Sequence, residues 1–312
     1  MDSYIVKSFI IPMQATKYAT VASITLMLWD IGLTLDEEIY KIWRAKKCFG
    51  NFLFLVNRYM PLGVLLFDLY AQFVVSPSIM VSFCRNYQLS TTIVGIASLT
   101  VVECILLLRT HALYQRTSLF MFLSILCLVT MGAMLSCFMI LFEKETFRSA
   151  KKVGLPGCLS FCHDKKFCRP AVIASFWVPF FLFETVIFAF TLAKSCKAYK
   201  ALNLSKRATL PKYLLQILVR DGVLYYFVIM SVSLCNLLMW ALYPGGSYIA
   251  VDLLRSLQSV ICSRILLNLR RSADDAWIQT EMTAGVEFIS VSISYDIPLS
   301  TTAPDYTIHP GQ

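Results

Sequence analysis

YATVASITLMLWDIGLTLDEEIYKIWRAKKCFGNFLFLVNRYMPL, residues 18–62, is the stretch whose reading decides the fold. Thr20 to Leu35 is apolar apart from Ser, Thr and Asp30, so it can enter a bilayer. Then the character changes within one turn. Thr34-Leu-Asp-Glu37 has the spacing of a capping box, with Thr34 as N-cap and Glu37 reaching back. Leu35, Ile39, Ile42 and Trp43 recur at helical spacing on one face. Asp36, Glu37 and Glu38 open this segment and Arg44, Lys46 and Lys47 close it, as the helix dipole favours, and Gly50 is a natural stop. Glu37 and Lys41 are placed to pair at i, i+4. The spacing predicts a short amphipathic helix on the membrane surface, Trp43 anchored in the headgroups, between two spanning helices. The plainer alternative is a charged loop.

The whole chain agrees with a bilayer as its solvent. Of its 312 residues 57% are hydrophobic and 15% charged, against roughly 45–50% and about 25% in soluble domains. With mean hydropathy +0.66, this is an integral membrane protein. Net charge is +9 but uneven: residues 272–312 hold six acids (Asp274, Asp275, Glu281, Glu287, Asp296, Asp305) and no Lys or Arg. That leaves 28 basic against 13 acidic residues, or +15, in the rest. In a membrane protein such an excess meets anionic headgroups and sets topology; no nucleic acid partner is expected. The N-terminus lacks a signal-peptide layout, so the first span is expected to serve as the insertion signal.

A span needs about 20 apolar residues to cross about 30 Å of hydrocarbon. Seven segments qualify: 18–35, 52–75, 89–109, 119–142, 171–193, 222–242 and 247–269. The predicted class is all-α, a polytopic membrane bundle of seven transmembrane helices, with six plus an interfacial helix as the alternative. The seventh decides between them. It carries Asp252, Arg255 and Arg264, yet Asp252, Arg255, Ser256, Ser259 and Ser263 form one helical stripe. Turned inward, that stripe suits a bundle helix; turned outward, a surface helix. Residues 1–17 then form an extracellular N-terminal segment, 18–271 the membrane domain, and the Ser/Thr-rich 272–312 a disordered acidic cytosolic tail.

Lys and Arg in the short loops orient the chain. One side collects fifteen, including the 194–220 loop, and the other ten, seven of them between residues 143 and 170. The first side is read as cytosolic, which puts the N-terminus outside, the plasma membrane being the favoured location. Cysteine agrees. Cys84 in the second loop and Cys158, Cys162 and Cys168 in the fourth all fall on the outer face, where an oxidising compartment favours two disulfides. Three pairings are open. One bond from Cys84 would pin the fourth loop over the bundle mouth.

Acids within spans are Asp30, Asp68, Glu103, Glu184 and Asp252. Charge at membrane depth is costly and marks a candidate site. Asp68, Glu184, Asp252 and Arg255 form the candidate intramembrane site. Asp30 and Glu103, nearer the cytosolic ends, read as structural ties. Arg109 at the cytosolic end of the third span reads as an interfacial anchor. Enzyme signatures are missing: the three histidines (His111, His163, His309) lie outside the span interiors, and there is no G-x-S-x-G elbow or phosphate-binding glycine loop. No catalysis, metal or cofactor is expected. The expected partners are the lipid bilayer and a cytosolic signalling protein at the 194–220 loop and the tail, with oligomeric state left open.

The segment WDIGLTLDEEIYKIWRAKKCFGNFLFLVNRYMPL resembles the N-terminal signature of a large fungal family, typical of mushroom-forming basidiomycetes, of multi-pass membrane proteins with a domain of unknown function. LLRTHALYQR (residues 108–116 within it), LVRDGVLYYFVIM (218–230) and CSRILLNLR (262–270) fit too. The resemblance implies a membrane fold and supplies no biochemistry. The plan of the chain suggests a receptor-like or sensory protein, although LLRTH at 107–111 departs from the D/E-R-Y triplet of rhodopsin-like receptors. A transporter or channel using intramembrane carboxylates is the alternative.

Overall fold

The computed structural model describes residues 10–45, 49–73, 81–149, 158–162, 169–204, 210–243 and 248–271. Residues up to Asn268 form one compact unit; of a second, 269–312, only the closing turn of the last helix is described. In chain order the elements are α1 (Ile11–Glu38), α2 (Phe49–Phe73), α3 (Val81–Tyr114) and α4 (Thr117–Lys144). Strands β1 (Glu145–Ser149) and β2 (Cys158–Cys162) follow, then α5 (Pro170–Ala174), α6 (Val178–Leu204) and α7 (Leu210–Leu242). The last helix, α8, covers residues 248–271. Six of these helices are long and apolar enough to cross a membrane, among them Ile11–Trp43, Phe49–Phe73 and Thr117–Lys144. The protein is a multi-pass membrane protein built as a helical bundle.

Lipid offers no partner for backbone amides, so each crossing segment must close its own hydrogen bonds as a helix. The outward faces fit that setting: Leu128 (73% exposed) and Val129 (61%) on α4 stand free, as do Trp29, Phe52 and Leu182 elsewhere. Apolar burial cannot hold helices together in such a solvent, because the lipid is as apolar as leucine. What remains is close packing and interhelical polar contact. Ile24 and Met27 of α1 pack on Leu65 of α2 with Val260 of α8 alongside. Toward one end, Ile42, Phe54 and Leu267 form a second cluster. Along the bundle α1 packs on α2, α2 on α3, α3 on α4 and on α6, α4 on α6, and α6 on α7.

Residues 34–45 differ from the expected surface helix. No surface helix starts at Thr34. α1 runs on through it and ends in one π turn, Ile39–Trp43. The Thr34 hydroxyl donates to the Asp30 carbonyl at 2.8 Å, a bond of the helix interior and not of a cap. The reason lies in spacing: Asp30, Thr34 and Glu38 follow each other at i, i+4 and i+8, and that face is buried against α2. Gly50 lies in the first turn of α2 and stops nothing.

Other boundaries move as well. The first helix starts at Ile11 and not Tyr18, so part of the expected extracellular segment is helical. α3 begins at Val81, which places Cys84 in the first turn of a helix and not in a loop. The expected span 171–193 is broken by a turn at Ser175–Trp177, held by Trp177 N–H donating to the Ala174 carbonyl at 2.9 Å. Pro179 is the cause, since proline disfavours helix just before it and suits the first turn of the next. Most of the expected 194–220 loop is helical, with α6 reaching Leu204 and α7 starting at Leu210. The 143–170 loop contains a hairpin, β1 antiparallel to β2 with Glu145 opposite Cys162 and Ser149 opposite Cys158.

Candidate functional site

Three polar centres occupy the bundle interior, and α8 touches all of them. The first gathers around Arg58 of α2, whose side chain is 2% exposed. Its Nε lies 3.0 Å from Glu38 Oε2 and its Nη1 3.5 Å from Asp30 Oδ2. Its Nη2 also donates to the Thr34 hydroxyl. Glu38 Oε1 accepts from Trp43 Nε1 at 3.0 Å and from the Tyr59 hydroxyl at 2.9 Å. Arg264 of α8 completes the group, its Nε 2.7 Å from Asp30 Oδ1. Two carboxylates meet two guanidinium groups, so the centre is neutral. It ties α1, α2 and α8.

The second centre contains most of the site expected from sequence. Arg255 Nη1 is 3.2 Å from Asp68 Oδ2 and 3.8 Å from Asp252 Oδ1. Asp68 also accepts from the Tyr87 hydroxyl at 2.7 Å, and Asp252 from the Thr20 hydroxyl. Gln72 Nε2 donates to Thr20 at 3.1 Å. Gly95 of α3 admits the guanidinium, because a Cβ there would lie 2.9 Å from Arg255 Nη2. Between the two centres, Asn57 Nδ2 donates to the Ser259 carbonyl and the Ser263 hydroxyl, and Ser259 Oγ donates back to the Asn57 carbonyl at 2.7 Å. The stripe Asp252, Ser256, Ser259, Ser263 is therefore turned inward.

Glu184 of α6 does not join Asp68, Asp252 and Arg255. It sits in the third centre, where Gln258 Nε2 donates to Glu184 Oε1 at 2.7 Å and to Ser233 Oγ at 3.3 Å. Glu103 of α3, fully buried, lies within electrostatic reach of Glu184 and accepts from the Cys127 thiol at 3.2 Å. Neither glutamate is in an ion pair among the described residues.

The remaining expected residues fall as follows. Cys84 is buried and disulfide-bonded. The side chains of Cys158, Cys162 and Cys168 lie outside the described residues, as does the 272–312 tail. β1 packs against α3, the helix that carries Cys84 in its first turn. Trp43 is largely exposed beyond its bond to Glu38, and Arg109 lies over the Tyr226 ring, 5.4 Å from its centroid. Among the described residues no group of three or more His, Cys, Asp or Glu is placed to hold a metal ion. Sequence reasoning missed Glu38 and Arg58 as a pair and Gln258 as a link. The signals were there in part: Arg58 as the one basic residue of its apolar span, and carboxylates at i and i+8.

Fold and polar interior thus define a multi-pass helical membrane protein. Residues 18–63 match the family model described as a family of unknown function (DUF6533). The matched stretch holds Asp30, Thr34, Glu38, Trp43, Arg58 and Tyr59, which is the whole first centre apart from Arg264. No curated protein and no solved structure matches the chain.

Proposed function

We propose that this is a receptor-like or sensory membrane protein of seven spans, non-enzymatic, with its N-terminus outside and its tail in the cytosol. The observation that carries the reading is the inward polar stripe of α8. At 1.5 Å per residue a helix over 248–271 is about 36 Å long, enough for a core of about 30 Å. Its charged and hydroxyl groups meet α1 and α2 instead of headgroups, as expected of a span and not of a surface helix. The ionic centres fix α8 against α1 and α2 in two places, a packing with discrete alternatives that an outside ligand could bias toward the tail. The plasma membrane suits a disulfide at Cys84, and the resemblance of the N-terminal signature points to a fungal, basidiomycete source. A cytosolic signalling partner would meet the α6–α7 region and the tail.

The transporter or channel reading is kept because of one observation, the Glu103–Glu184 pair, which forms no ion pair among the described residues. Vesicles reconstituted with the purified protein separate the two. Under sodium and proton gradients the receptor reading expects no flux above protein-free vesicles; sustained flux would replace it with the alternative.

A further inference from the structure

In and beside the third centre, buried oxygens on four helices lack hydrogen-bond partners among the described residues. Glu103 Oε1 on α3, Glu184 Oε2 on α6, Asn236 Oδ1 (with its Nδ2) on α7 and Gln258 Oε1 on α8 make no hydrogen bond among the described residues. The four side chains are 0–3% exposed. Buried polar atoms are nearly always satisfied, and here each of two buried carboxyl groups keeps one oxygen unbonded beside the one that is bonded. Gln258 is held in place by donating its amide to Glu184 and Ser233, which leaves its carbonyl oxygen beside the same carboxyl. Ser233 faces Glu184 as well, and Asn236 lies one turn further along the buried face of α7.

Among the described residues no cation forms an ion pair with either glutamate. Arg58, Arg255 and Arg264 are engaged in the other two centres. Arg109 lies over the Tyr226 ring with its buried Nη1 unbonded among the described residues, and it shares the neighbour Cys262 with Glu184. The neighbours of the pair from α3, α4 and α8 are the thiols Cys104, Cys127 and Cys262.

We propose that Glu103 and Glu184, with the side-chain oxygens of Gln258, Asn236 and Ser233, form a site for a small monovalent alkali cation inside the bundle. Hard oxygen donors suit such an ion better than a soft metal. A calcium-like ion would call for a richer set, six to eight oxygens with several carboxylates. Two carboxylates with neutral amide and hydroxyl oxygens from four helices are a smaller set than that, and one alkali cation together with one proton balances their charge. This site stands independently of the receptor reading, since a bound ion can lock a receptor or accompany a transported solute.

The test uses the full chain in lipid nanodiscs, comparing sodium chloride with choline chloride at equal ionic strength and one fixed neutral pH. Sodium should raise the unfolding midpoint and keep raising it logarithmically above the dissociation constant. Glu184→Gln and Glu103→Gln should each abolish the sodium increment and, in choline, unfold no earlier than wild type because an unpaired charge is gone. Asp68→Asn, in the second centre, should keep the increment. Equal midpoints in sodium and choline for wild type would overturn the proposal and leave protons as the occupants. An increment that survives in either glutamine variant would overturn it too. Should those variants fail to fold, equilibrium binding of radioactive sodium to wild type decides: one saturable site supports the proposal, none refutes it.

Discussion

Arg58 Nε stands 3.0 Å from Glu38 Oε2, with the two side chains 2% and 0% exposed. The pair joins the last full turn of α1 to the first half of α2, and both residues lie in the 18–63 stretch that matches a family model. Removing one partner strands a charge at membrane depth, which costs about 3–5 kcal/mol. Arg58→Met is therefore expected to lower the thermal unfolding midpoint sharply. The double change Arg58→Met with Glu38→Gln leaves Asp30 with Arg264 and should be milder than Arg58→Met alone. A double variant worse than that single change would deny the pairing its role.

Gly95 gives a second, geometrically narrow prediction. Alanine normally stabilises a helix interior by up to about 1 kcal/mol over glycine. Here its Cβ would meet the Arg255 guanidinium at 2.9 Å, and that group cannot retreat without loosening Asp68 and Asp252. Gly95→Ala should destabilise by about 1–3 kcal/mol, as overpacking does. In an Arg255→Met background the same change should be neutral or stabilising. Additive effects in this double-mutant cycle would show that the contact is not felt.

The polar stripe on α8 predicts unequal tolerance along one helix. Asp252 accepts from Thr20 and lies beside Arg255, so Asp252→Leu leaves Arg255 short of a partner and should impair folding or surface expression. Leu257 is half-buried outside the stripe, and Leu257→Ala should have a much smaller effect. Fluorescence-detected size-exclusion profiles of the two variants compare them directly. Equal losses would place the stripe elsewhere than the interior.

How far these features could be read beforehand depended on how local they are. The α8 stripe was legible because five polar residues repeat at helical spacing within twelve positions, from Asp252 to Ser263. That Asp68, Asp252 and Arg255 converge was partly legible too, since charges in spans seek each other. Glu38 was misread because DEE followed by RAKK has the charge order of an exposed helix, and only the distant Arg58 makes its face an interior one. Glu184 was grouped wrongly for the same reason: pairing between segments leaves no trace in one sequence. Helix ends at Val81 and Leu210 were missed because hydropathy falls at the membrane boundary while backbone hydrogen bonding continues past it.

The disulfide at Cys84 leads to a chemical prediction. Cys84 is bonded, and β1 packs on the helix that carries it. Non-reducing peptide mapping is expected to recover Cys84 linked to a peptide containing Cys158, Cys162 or Cys168, and Cys84→Ser should cost about 2–5 kcal/mol. A probe that cannot cross membranes should also label a cysteine engineered near Gly154 on intact cells and miss one near Ala208. The reverse labelling would invert the orientation.

One measurement bears most directly on the seven-span proposal. An odd number of crossings puts the two termini on opposite sides of the membrane; an even number puts them on the same side. With an epitope tag at each end, antibody should reach the N-terminal tag on intact cells and the C-terminal tag only after permeabilisation. Both tags accessible under the same condition would mean that residues 248–271 do not cross, and the receptor-like plan would fall with them.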